Sequence, residues 1–230
     1  MKLKRTCALL VLIVVATSVG ATAAIALGSP SANARVSQAS QQHPDQVLDW
    51  NQIFIETLIA TSTPNSSSQR LGAIVHTAIF DAYNGIERRY TPIFVQNIDG
   101  NGQRLVPQGA SRRAAVIAAA YTALVALFPS QEERLSDSYA ASLAALSDDG
   151  EDGGQSRERG IAWGTDVARA VLAWRAADGF GASYPPFTGG TAVGQWRPIP
   201  PATMMSAQGL AFTVPFVVES NTQFRPDPPR

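Results

Sequence analysis

The chain has 230 residues, 45% of them apolar, 8% aromatic and 16% charged, which suits one sizeable core with appendages rather than several domains. Lys2, Lys4 and Arg5 stand in a leader without acids, so residues 35–230 carry 15 basic against 18 acidic side chains, a net charge of about −3. That mildly acidic balance, without a basic stripe, excludes a nucleic-acid binder, and the single cysteine, Cys7, lies in the leader, which excludes disulfides and thiolate metal sites from the rest.

Met1–Arg5 form a basic start, Ala8–Leu27 an apolar run, and Ala32-Asn33-Ala34 a small-residue cleavage pattern. Residues 1–34 are therefore expected to be a signal peptide, cut before Arg35, and the body to be exported. The run of about 20 residues is long enough to span a bilayer if it stays uncut. Thr17, Ser18, Gly20 and Thr22 dilute its second half, so a membrane enters only with an uncleaved leader. Both lysines go with the leader, and the only histidines are His43 and His76.

Residues 35–46 are polar and aperiodic and read as a linker. A first helix is expected over Val47–Thr61, with Val47, Trp50, Phe54, Leu58 and Ile55, Ile59 on adjoining ridges, ending before Pro64. Ser66–Ser68 are placed to cap a second helix, about Gln69–Arg88. There Leu71, Ile74, Val75, Ala78, Ile79, Ala82 and Ile86 keep helical spacing. Its small residues Gly72, Ala73 and Thr77 suggest a close neighbour and the central place in a bundle.

Pro92, Gly100, Gly102, Pro107 and Gly109 mark an irregular crossing over residues 89–109. A third helix follows over Ser111–Phe128 and stops at Pro129. Ser130 and Glu133 have capping-box spacing for a fourth helix, which runs to about Leu146 on Leu135, Tyr139 and Leu143. Asp148–Gln155 is an acidic, glycine-rich stretch without EF-hand spacing, and a solvated loop is preferred to a calcium site. A fifth helix is expected over Arg157–Ala177, with Gly179 as its stop. From residue 180 on, Tyr184–Gly190, Gln195–Pro201 and Phe224–Arg230 are rich in Pro, Gly and aromatics, an arm that cannot form a core alone.

The fold class is thus all-α: a helical bundle of about five main helices over residues 47–178, with a long irregular Pro/Gly-rich C-terminal arm over 179–230. Candidate chemistry is thin. His76 shares a face with Phe80 and Asn84 and reads as a satisfied structural histidine. Asp81, Asn84, Glu87 and Arg88 form an i, i+3, i+4 ladder that suggests pairing on the helix surface. Arg112-Arg113 could meet an anion at a helix start, though a charge at an exposed helix end accounts for them. Phosphate loop, nucleophile elbow and HExxH are all missing. No catalytic, cofactor-binding or metal-binding residue is assigned.

Several segments in order resemble the N-terminal helical region of bacterial vanadium-dependent haloperoxidases, in the wider type 2 phosphatidic acid phosphatase superfamily. They are Val47-Leu48-Asp49-Trp50-Asn51, the stretch His76–Ile93, the alanine-rich Ala114–Phe128, and Trp196-Arg197-Pro198 through Val214-Pro215-Phe216 to Gln223-Phe224-Arg225-Pro226. The resemblance covers residues 47–230. It implies an exported enzyme that oxidises halide with peroxide on a vanadate, or hydrolyses phosphate esters. It also implies an oxyanion pocket of a lysine, arginines, a Ser-Gly pair and two histidines.

This chain has no lysine beyond Lys4 and no Ser-Gly-His, and Arg225-Pro226 has no lysine before it at the family spacing. Vanadate is therefore expected only in the full-length family, and this chain to be a structural half. Its end at Asp227-Pro228-Pro229-Arg230 reads as an interrupted frame or a cut piece. The expected partner is the missing catalytic bundle or a second copy of the chain. The rivals are a stand-alone exported helical binding protein and one chain of a two-chain enzyme.

Overall fold

The computed structural model describes residues 45–96, 107–147 and 150–226. The chain divides between His43 and Pro44, and all described residues belong to the unit that follows. The leader and most of the linker lie outside the described residues. Five α-helices make up the bundle, and no strand occurs among the described residues. They are α1 (Gln46–Ala60), α2 (Asn65–Glu87), α3 (Arg112–Leu127), α4 (Glu132–Ala144) and α5 (Gly154–Arg175).

Helix α1 is capped by Asp45, whose carboxylate accepts from the amides of Val47 and Leu48. Trp50, Phe54 and Thr57 face the core, but the apolar ridge expected alongside them does not. Val47, Ile55 and Ile59 are exposed, Ile59 by 72%. Arg134 donates to the Thr57 hydroxyl from α4, and that hydroxyl donates in turn to the Ile53 carbonyl.

Helix α2 begins four residues before the expected Gln69. Pro64 takes the cap position with a pre-set φ of −60°, so Ser66–Ser68 sit inside the first turns and do not cap the helix. It ends at Arg88, which adopts the left-handed conformation at φ 57°. The capping box expected from Ser130 and Glu133 does not form either. Pro129–Gln131 is already a 3-10 turn, so α4 starts after Gln131 without a side-chain cap.

The central helix is α3, not α2: α3 packs against all four others. Ser111 caps it, accepting from the Ala114 amide. Ala114–Ala120 are buried in an unbroken run, which a helix achieves only when neighbours cover it on nearly every side. The close approach expected at Gly72 meets only the Phe54 ring. The true backbone-to-backbone approach is that of α5 to α3. A Cβ on Gly160 would overlap the Ser111 carbonyl oxygen, and one on Gly164 that of Ala115. Helix α5 is also tied to α2, where the Trp163 indole donates to the Ala82 carbonyl at 2.9 Å.

In an exposed helix interior, glycine to alanine gains up to about 1 kcal/mol. Gly164→Ala is expected to reverse that sign and cost about 1–3 kcal/mol, because α5 must back away from α3. Urea unfolding of the variant beside the parent chain measures this.

Candidate functional site

Most of the side chains singled out in the sequence are bound into the fold. His76 Nε2 lies 3.0 Å from Asn51 Oδ1, edge-on to Phe54, and burial holds its imidazole below the usual histidine range. The polar ladder is not a surface ladder. Asp81, 0% exposed, accepts from the amides of Ile93, Phe94 and Val95, each at 2.8 Å. Asn84 is also buried, donating to the Tyr90 carbonyl and accepting from its amide. These two residues fold the chain beyond α2 back on the helix, so they have no charge partner on it. Glu87 pairs with Arg112 instead.

Arg112 and Arg113 are not loose charges at a helix end. Arg113 pairs with Asp152, a buried carboxylate that also accepts from Ser111 Oγ at 2.6 Å. The acidic stretch is therefore not merely a solvated loop. Its Asp152 locks the start of α5 to the start of α3, and Asp148 and Asp149 lie outside the described residues. Among the described residues no three His, Cys, Asp or Glu side chains gather as metal ligands. Arg225 lies exposed in a turn, its amide donating to the Thr222 carbonyl.

A buried polar cluster that apolar periodicity does not mark forms the root of the arm. Arg175 in the last turn of α5 is 1% exposed and Asp178 is 4% exposed. Asp178 Oδ2 accepts from Arg175 Nε at 3.1 Å and Nη2 at 2.7 Å, and from Arg70 Nε of α2 at 2.7 Å. Burial alone would raise the Asp178 pKa, but these bonds, the Phe180 amide and the Arg70 charge hold it below the ordinary carboxyl range.

The arm returns to this cluster thirty-odd residues later. Arg175 donates to the carbonyls of Val214 and Pro215, and the Val214 amide donates to the Asp178 carbonyl. The Arg175 guanidinium lies 4.0 Å from the Phe216 ring centroid and 4.7 Å from that of Trp174, which stacks in turn on Phe94. Arg175 and Asp178 at i, i+3 were a visible sign of a helix-end pair. Arg70 gave none, because it lies 108 residues away from its partner.

The arm carries two concavities, of which one borders this root. One, of 480 Å³, lies within the arm and is walled by Pro185, Pro186, Phe187, Met205, Ala211 and Phe212. Gln208 frames it, accepting from the Phe187 amide and donating to the Tyr184 carbonyl. The other is a groove of 260 Å³ between α2 and the arm, with Arg70 in its wall. The outer arm exposes Ile199 by 81% and Phe224 by 80%, with Phe187, Trp196 and Val217 exposed beside them in sequence order.

Compared with known proteins, the chain has no match among family models, curated proteins or solved structures. The vanadate that the resemblance implies needs several cationic donors converging on one anion. The buried polar side chains described above do not converge as such a donor set. Arg175 and Arg70 are turned on Asp178 and backbone carbonyls, and His76 on Asn51.

Asp178→Asn leaves two guanidinium groups with no carboxylate and is expected to cost about 3 kcal/mol and free the arm to proteolysis. The folded-state pKa of Asp178 is depressed, so its contribution is full above the unfolded value and is lost as pH falls through the folded one. The stability gap between parent and variant should thus persist at neutral pH and close only below the ordinary 3.8. Denaturant midpoints of both chains across that range check the sign.

Proposed function

We propose that the chain is the N-terminal structural half of an exported vanadium-dependent haloperoxidase-like, or related acid phosphatase-like, protein. In this reading the five helices are a scaffold. The arm is its contact surface for a catalytic bundle that carries the oxyanion pocket, with the leader directing export. The observation that carries it is the contrast within the arm: its root is fixed by Arg70, Arg175 and Asp178, while Phe187, Trp196, Ile199, Val217 and Phe224 turn apolar surface outward. An apolar surface held by a rigid root is suited to burial against a partner.

A second reading, a stand-alone exported helical binding protein, is favoured by the 480 Å³ apolar pocket, a size common among small-molecule sites.

The purified full chain, given vanadate, peroxide and bromide, is expected to halogenate no faster than buffer. Turnover by the chain alone would refute the scaffold role. The scaffold reading also expects strong binding of a hydrophobic dye and concentration-dependent association in sedimentation. A dye-silent monomer with cooperative unfolding would favour the second reading.

A further inference from the structure

The groove between α2 and the arm presents a charge that the cluster beneath it does not neutralise. Arg70 and Arg175 are two cations on the one carboxylate of Asp178. Arg175 is buried, with donors directed at Asp178 and at the carbonyls of Val214 and Pro215. Arg70 gives Nε to Asp178 and Nη2 to the Arg175 carbonyl. One face of its guanidinium lies 4.9 Å from the Phe180 ring centroid, but among the described residues no hydrogen bond engages its Nη1, and Arg70 lines the groove. A positive charge beside apolar walls, only partly wetted, attracts an anion more strongly than the same charge in open water.

The donor inventory decides which anion fits. On the facing side, Thr213 Oγ1 already donates to the Gly209 carbonyl, and Asn221 Nδ2 to those of Ala211 and Thr213. Gln69 stands exposed at the mouth. One charged nitrogen can hold a carboxylate oxygen, whereas a phosphate, with more charge and more oxygens, requires several converging donors. The remaining wall, Ala73, Leu210, Val214, Pro215 and Phe216, is largely hydrocarbon and an aromatic ring, the Val214 and Pro215 carbonyls being taken by Arg175. Such a wall favours an apolar body behind the charged head.

We propose that the groove over Arg70 binds a small organic carboxylate with an apolar body, its head on Arg70 Nη1 and its body against Leu210 and Phe216. At 260 Å³ the groove admits a single ring or a short acyl chain, not a peptide helix. This assignment does not rest on the scaffold role and would hold for either reading of the whole chain.

Benzoate titrated into the full chain, followed by calorimetry, is the direct test, with benzyl alcohol and inorganic phosphate as parallel titrants. Saturable benzoate binding is expected, with both other titrants weaker by about tenfold or more, the loss of one charge-assisted hydrogen bond or of the apolar contact. Arg70→Gln should abolish the difference between benzoate and benzyl alcohol. Because that substitution also disturbs the arm's root, Ala73→Phe serves as the second variant, filling the groove while leaving all three charged groups in place. It should weaken benzoate by about tenfold or more. The proposal is overturned if benzoate does not saturate, if phosphate or benzyl alcohol binds equally well, or if Ala73→Phe binds benzoate as the parent does.

Discussion

The bundle is arranged around a helix whose buried face is mostly alanine, with Val116, Ile117 and Leu124 as its larger core side chains. Helix α3 buries seven consecutive residues from Ala114 to Ala120, five of them alanine. A methyl group contributes little hydrophobic free energy by itself, about 0.8 kcal/mol for each buried carbon. Such a helix is held by the closeness of its neighbours, which multiplies dispersion contacts. Gly160 and Gly164 make that closeness possible by bringing the α5 backbone against the carbonyls of Ser111 and Ala115. The position of α5 then fixes where Trp163 meets α2 and where the arm departs at Arg175.

Once the helices are set, three buried carboxylates organise the irregular segments, each through a different donor set. Asp81 gathers three backbone amides of the chain beyond α2. Asp152 takes a hydroxyl and a guanidinium and joins two helix starts. Asp178 takes two guanidinium groups and anchors the arm. A buried carboxylate without such partners would be strongly destabilising, so each one commits the surrounding chain to a narrow range of conformations. These acids act as fasteners, and the same satisfaction of their oxygens leaves them poorly placed for acid/base work.

The proposed scaffold role rests on the arm being half committed. Its root is fixed because Arg175 lies against both the Trp174 and Phe216 rings while bonded to Asp178 and two carbonyls. Farther out, Tyr184 stacks on Phe212 and Phe187 leans on Trp196, local contacts that leave much apolar surface in solvent. A fixed root with an unsatisfied outer surface presents that surface at little further entropic cost on association.

The amino-acid order by itself determined the helical class, the five helices to within a few residues at most ends, and the change to an irregular arm after residue 178. Those features depend on apolar periodicity and on proline and glycine breaks, which act over a few positions. Which helix lies at the centre was decided only in three dimensions. Periodicity marked α2, whereas the all-round burial of α3 depends on Gly160 and Gly164, some forty-five residues later in the chain. The roles of Asp81, Asp152 and Arg70 were hidden for the same reason. An acid or an arginine on a helix looks solvated until the fold delivers its partner, and those partners are backbone amides, a serine hydroxyl and a carboxylate from other segments. Local spacing encodes which backbone hydrogen bonds form, but the desolvation that makes a buried charge decisive exists only after distant parts of the chain have packed around it.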